Sequence, residues 1–335
     1  MKTSLRIALT VPILASAGCD LQPEPITKYE YTPYAGEAYP DRRAKVTIPA
    51  GGAALVTDSY SDEISVIGLQ KGDVIATVPV GRDPVGLDGP HHLVVDPKGG
   101  FVFTALSYPQ VKASGPHASH GLSVQPGYVQ RLALDDFRIL GQVRVDTNPG
   151  DIVLSEDGKR IVVSHFDLQK AIDNAGNPDL ARATLALVDP AEVLETDAPE
   201  PLRIPSVCIA PHGVALSRPD GARAYVACYG EDALAVVDLD QGTVLDRVPV
   251  SPGAGGGGDP SYGPYSAVLS PDGATVAIGD TVSKDVRFFD VASSTIDATK
   301  TLKTLGAPYF PAWSTDGKLL YVPLQTPHGI VTSAP

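Results

Sequence analysis

The residues best suited to chemistry in this chain are its seven histidines, His91, His92, His117, His120, His165, His212 and His328. Neutral imidazoles accept protons near neutral pH and bind late transition metals. His117-x-x-His120 has no carboxylate or cysteine beside it at ligand spacing, so the pair alone is a weak signal. His91-His92 and His212 follow prolines in similar surroundings, and Asp151 lies two residues past Pro149. No Gly-x-Ser-x-Gly elbow, His-Glu-x-x-His motif or Walker loop is present. The glycine run 255–258 neither follows a strand directly nor opens a helix, so it reads as a loop and not a phosphate cradle. The three cysteines, Cys19, Cys208 and Cys228, form no Cys-x-x-Cys-His, which excludes covalent haem by that motif.

The elements that must position these side chains emerge from an internal repeat. One unit runs Pro211-His-Gly-Val-Ala-Leu-Ser217, Arg-Pro-Asp-Gly221, Arg223-Ala-Tyr-Val-Ala-Cys228, Ala233-Leu-Ala-Val-Val-Asp238 and Thr243 to Val250. That is four short strands separated by turns. Its opening recurs from Pro90, Pro149, Pro264 and Pro308. The period is about 40–45 residues once insertions are removed, which suits four-stranded propeller blades. In the Ser-x-Asp-Gly turns, Asp caps the turn and Gly takes positive φ. A single such sheet cannot bury both of its faces, so neighbours must stack. The fold class expected is all-β, a β-propeller of four-stranded blades over residues 45–335.

The unit Pro211 to Val250 resembles the YVTN-type repeat of YncE-like and surface-layer β-propellers. The likeness covers roughly residues 45–335. Where the family commonly has Asn after the Tyr-Val-x of the second strand, this chain has Cys228, with His165, Asp280, Leu106 and Leu324 at the equivalent positions. Family members commonly close with seven blades. Here about five and a half are expected, and the propeller reads as incomplete at the C-terminal end, with a further module beyond residue 335 as one possibility.

In such a propeller the innermost strands all start at one end, here termed the top. The long insertions 107–127, 166–183 and 251–263 map there, as do all seven histidines. His91, His212, Tyr265 and Tyr309 each follow an anchor proline and should ring the inner channel; with Asp151 they form the candidate ligand-binding set. His91, His92, His212, His117 and His120 form the candidate metal set, for a divalent ion. The alternative is histidines hydrogen-bonded in polar loops and a channel merely packed with rings and water. Cys208 and Cys228 both map near the top, which allows either a disulfide or two separate buried thiols. Asp189, Asp238 and Asp290 end third strands and read as turn caps.

Composition limits the partners. Hydrophobic residues are 43% and charged residues 19%, enough for a folded core. Formal charge is −13, which argues against nucleic acid as a partner. Thirty-three glycines and 31 prolines give many turns. Lys2 and Arg6 precede an apolar stretch, Ile7 to Ala17, too short to span a bilayer, so residues 1–18 read as a signal peptide. Ser16-Ala17-Gly18-Cys19 resembles a bacterial lipoprotein signal, although Leu is commonly found where Ser16 stands. That implies lipidation of Cys19, with ordinary cleavage as the alternative. Residues 19–44, with Pro23, Pro25, Pro33, Pro40 and four tyrosines, read as a tether.

The functional expectation is a lipid-anchored protein of the bacterial cell envelope, on its periplasmic face or the cell surface. It would meet the membrane through its lipid and bind a protein or small molecule on the top face. The alternative is a metal- or cofactor-dependent periplasmic enzyme at the channel mouth, by likeness to lactonase-like or cytochrome d1-type propellers. No arrangement in the sequence selects a reaction.

Overall fold

The computed structural model describes residues 45–82, 86–110, 120–193, 200–255, 259–325 and 329–333. All of them belong to one unit of the chain. The expected signal peptide, Cys19, the tether, His117 and His328 lie outside the described residues.

Valine, isoleucine and aromatic runs bounded by Gly, Pro and Asp turns give strands almost throughout. The first sheet holds β1 (Ala53–Asp58), β2 (Glu63–Gly68) and β3 (Val74–Pro79). The second holds β4 (Pro90–Asp96), β5 (Phe101–Leu106), β6 (Pro126–Ala133) and β7 (Ile139–Thr147). The third holds β8 (Pro149–Leu154), β9 (Ile161–His165), β10 (Arg182–Val188) and β11 (Leu202–Ile209). The fourth holds β12 (Pro211–Leu216), β13 (Arg223–Cys228), β14 (Ala233–Asp238) and β15 (Thr243–Pro249). The fifth holds β16 (Pro264–Leu269), β17 (Thr275–Asp280), β18 (Asp285–Asp290) and β19 (Thr295–Lys303). The sixth holds β20 (Ala312–Trp313), β21 (Leu320–Leu324) and β22 (Gly329–Ser333). Neighbouring strands pair antiparallel, in chain order.

Among the described residues this is a six-bladed β-propeller arrangement, with four blades of four strands and two of three. The count differs from the expected five and a half of seven four-stranded blades. The last blade completes its third strand, because Gly329–Ser333 pairs along all of β21. Among the described residues the first blade has no innermost strand. Thr57 Oγ1 donates to the His91 carbonyl (2.8 Å), as Ser164 Oγ does to the His212 carbonyl. Ser164 lies on β9, the second strand of its sheet, so β1 holds the second-strand place in the first blade.

Packing follows the two-residue period of the strands. Ala224 and Val226 of β13 face the third sheet, while Tyr225 and Ala227 face the fifth. Val162 and Val163 of β9 likewise pack on opposite neighbours. Every pair of consecutive sheets shares one such apolar cluster. Bottom turns form as the sequence predicts: Ser155 Oγ donates to Asp157 Oδ1 (2.7 Å), which also accepts from Lys159 N, and Gly158 takes φ 75°. One departure lies at 166–183, read as a loop insertion. It folds into two short helices, α1 (Leu168–Asp173) and α2 (Pro178–Ala181), whose first turns are capped by Asp167 and Asn177.

Leu234 is fully buried between the fourth and fifth sheets, and Leu245 is half exposed. Leu234→Ala is expected to cost about 2–5 kcal/mol in urea unfolding, and Leu245→Ala less than about 1 kcal/mol.

Candidate functional site at the propeller axis

The strand registers bring four structural positions to one end of each sheet. In the fourth, Pro211 pairs with Cys228, Cys228 with Ala233, and Ala233 with Pro249. Inner strands therefore start at the top, and the residue after each anchor proline lies at the mouth of the axis.

Backbone clamps fix those starts. The Asp62 carboxylate, in the β1–β2 loop, accepts from the backbone N–H of Asp88 and Gly89, just ahead of Pro90-His91. Asp232, in the β13–β14 loop, accepts from Ser261, Tyr262 and Gly263 N–H at 2.8–3.0 Å, just ahead of Pro264-Tyr265. Asn148 reverses the arrangement, bonding both backbone groups of Ser123 ahead of Pro149.

The side chains so positioned meet. His91 Nε2 lies 3.4 Å from His212 Nε2. The His212 ring stacks on Tyr265, with centroids 3.6 Å apart, and Tyr265 stacks on Tyr309 at 5.5 Å. His120, from the loop after β5, is buried between His91 (3.9 Å) and Phe166 (5.2 Å), stacked on both. Gly150 occupies the proline-plus-one place in the third sheet. A Cβ there would lie 3.3 Å from His212 Cδ2 and 3.1 Å from Phe166 Cβ, so the glycine leaves room for both.

One residue further along each strand, His92 Nδ1 lies 3.1 Å from Asp151 Oδ1. Asp151 is almost fully buried; its Oδ1 also accepts from Ile152 N–H and its Oδ2 from Val214 N–H (2.8 and 2.9 Å). A carboxylate holding two backbone donors acts as acceptor toward His92, which fixes Nδ1 as the protonated nitrogen. Phe310 closes the far side of His92, at 4.7 Å. Burial raises the hydroxyl pKa of Tyr265 well above its usual value, and that of Tyr309 in the same direction, so both are neutral phenols.

His91, His92, His120, His212, Asp151, Tyr265 and Tyr309 are thus brought together. His165 is not part of the cluster. Its Nε2 receives the Asp146 N–H (3.2 Å), and Nδ1 faces Thr184. Sequence reasoning missed Phe166 and Phe310, although each directly follows a residue it singled out. It also missed the hydroxyls of Thr57 and Ser164. Cys208 and Cys228 are joined in a buried disulfide, with Cα atoms 5.7 Å apart. Cys228 pairs in register with Pro211, next to His212. In the chain-entropy model such a short closure contributes about 3 kcal/mol. Asp189, Asp238 and Asp290 accept backbone N–H groups of the turns that follow them.

No protein-family model matches the sequence, and the search of curated proteins finds no match. Among solved structures, hydrazine synthase of Kuenenia stuttgartiensis is similar with a TM-score of 0.61 and 16% identity, over 87% of this chain and 82% of that one. A functionally unknown protein from Desulfotomaculum acetoxidans is similar with a TM-score of 0.57 and 12% identity, over 84% and 78%. At these identities the likeness is one of fold, and the class it defines is the β-propeller.

Burial holds the His165 imidazole below its usual pKa of 6.5, against the raising effect of Asp146. The unfolded chain takes up this proton near pH 6.5 while the folded chain does not, so His165 favours folding above that pH and opposes it below. The stability advantage of wild type over His165→Gln should be largest near pH 8. It should shrink below pH 6.5 by up to roughly 1.4 kcal/mol per pH unit, read by denaturant unfolding across pH.

Proposed function

We propose that this chain is a lipid-anchored β-propeller of the bacterial cell envelope, of the YVTN-like kind, that binds a small ligand at its axial ring cluster and does so without turnover. One observation carries the reading. Rings from the second, third, fifth and sixth sheets converge on the His212 side chain of the fourth, which contacts His91, His92, His120, Phe166, Tyr265 and Phe310. Mere plugging of the axis calls for apolar side chains. Imidazoles and phenols gathered at the mouth of the axis present polar and aromatic surface together, the mixture that small-ligand sites use. Binding without turnover is preferred because the cluster's carboxylate, Asp151, already accepts two backbone N–H groups and the His92 ring.

The anchor reading rests on the N-terminal sequence. Among the described residues no helix is long and apolar enough to cross a membrane. Lipid chains on Cys19 would hold the protein at the bilayer without a span.

Two measurements test the two halves. Native mass spectrometry of the full chain from cells should show a small adduct that is absent from Tyr265→Ala and His212→Ala; an adduct-free wild type, or one retained in both variants, overturns the axial reading. Metabolic labelling with palmitate should tag the wild type but not Cys19→Ser, which should leave the membrane fraction; equal behaviour of the two overturns the anchor.

A further inference from the structure

We infer that the axial cluster is a three-histidine centre for a late first-row divalent metal ion, with His91, His120 and His212 as its ligands. This rests on the axial binding reading and names the chemistry of its ligand.

Three observations support it. The first is spacing. The candidate nitrogens of His91, His120 and His212 all lie within 4.8 Å of one another. For zinc the Zn–N bond is about 2.0–2.1 Å, which makes the edge of a tetrahedral site about 3.3–3.4 Å. The His91 Nε2 to His212 Nε2 distance is 3.4 Å. His120 completes the set when its ring turns off the face of His91, because an imidazole lone pair lies in the ring plane.

The second is preorganisation. Both strand-borne ligands have their backbone carbonyls held by a hydroxyl from the preceding blade, Thr57 for His91 and Ser164 for His212. Stacking on Tyr265 fixes the His212 ring. Ligands held this way lose little side-chain freedom when an ion arrives.

The third is selectivity. The set is imidazole only. Hard cations such as calcium and magnesium need several oxygens, whereas imidazole suits zinc, copper, cobalt and nickel. The nearby carboxylate, Asp151, is already committed to the His92 Nδ1 and two backbone N–H groups. His92 therefore stands beside the ligand set, its ring 4.5 Å from that of His91, and belongs to the surrounding shell that orients it. Three protein ligands leave a coordination position for water, as in open zinc centres.

The test uses chelator-stripped full chain titrated with zinc by calorimetry, and with cobalt followed by its visible absorption. Wild type should bind one ion, with cobalt bands of a four-coordinate nitrogen-rich site. His120→Ala changes a loop residue and leaves every strand intact. It and His212→Gln should each weaken zinc binding by more than about a hundredfold, the upper range for losing an outer-shell partner. Unchanged melting of the stripped His120→Ala protein would show that the loss is one of ligation. Absence of zinc and cobalt binding to the wild type, or binding that survives both substitutions, overturns the assignment. If the native adduct proves organic and depends on Tyr265 while zinc fails to bind, the metal inference falls and the axial reading stands. If neither adduct nor zinc binding is found, both fall.

Discussion

Everything in this molecule depends on sheets that are apolar on both faces. Alternate residues of β13 and β14 point into two different clusters, one shared with the third sheet and one with the fifth. Among the described residues the α-helices are six and four residues long, too short to cover such a face, and another sheet of the same kind covers it instead. Burial of apolar area at about 25 cal/mol per Å² then drives each blade onto the next, and the right-handed twist of the sheets turns the stack around an axis. The repeat in the sequence is the imprint of that requirement.

Stacking has a second result. Because all inner strands run the same way, the residue after each anchor proline arrives at the same height on the axis. The fold supplies the position, and residue choice supplies the chemistry: histidine in the second and fourth sheets, glycine in the third, tyrosine in the fifth and sixth. The glycine is what permits the histidine opposite it to lie flat against Tyr265. A neighbouring hydroxyl then locks the carbonyl behind each of the two histidines. His91 and His212 are therefore held by hydrogen bonds to their backbone as well as by ring contacts.

Much of this was legible in the sequence. The Pro-x-x-apolar openings and Ser-x-Asp-Gly turns located the blades, since both encode backbone conformations that few other residues adopt. The equivalence of His91, His212, Tyr265 and Tyr309 placed them on one ring for the same reason. What stayed hidden depends on contacts between distant segments. His120 lies in an insertion that no repeat explains, and its place between His91 and Phe166 follows from tertiary packing. The helices α1 and α2 are too short to show a helical period. The end of each second strand is the clearest case: Cys228 is in a disulfide, His165 bonds to Thr184 and the Asp146 N–H, and Asp280 pairs with the buried Arg287 at 3.0 Å. Sequence comparison aligned these positions, but only their surroundings show that each is tied down by different chemistry.

His91 and His212, whose Nε2 atoms lie 3.4 Å apart, are 121 positions apart in the chain. A ribosome must therefore lay down the second and third blades and the first residues of the fourth before His212 can face His91. No shorter nascent segment, and no single excised blade, contains the paired rings. The contact thus reports on assembly across blades: it forms only after two whole blades have been built, whatever the order in which the individual sheets zip up.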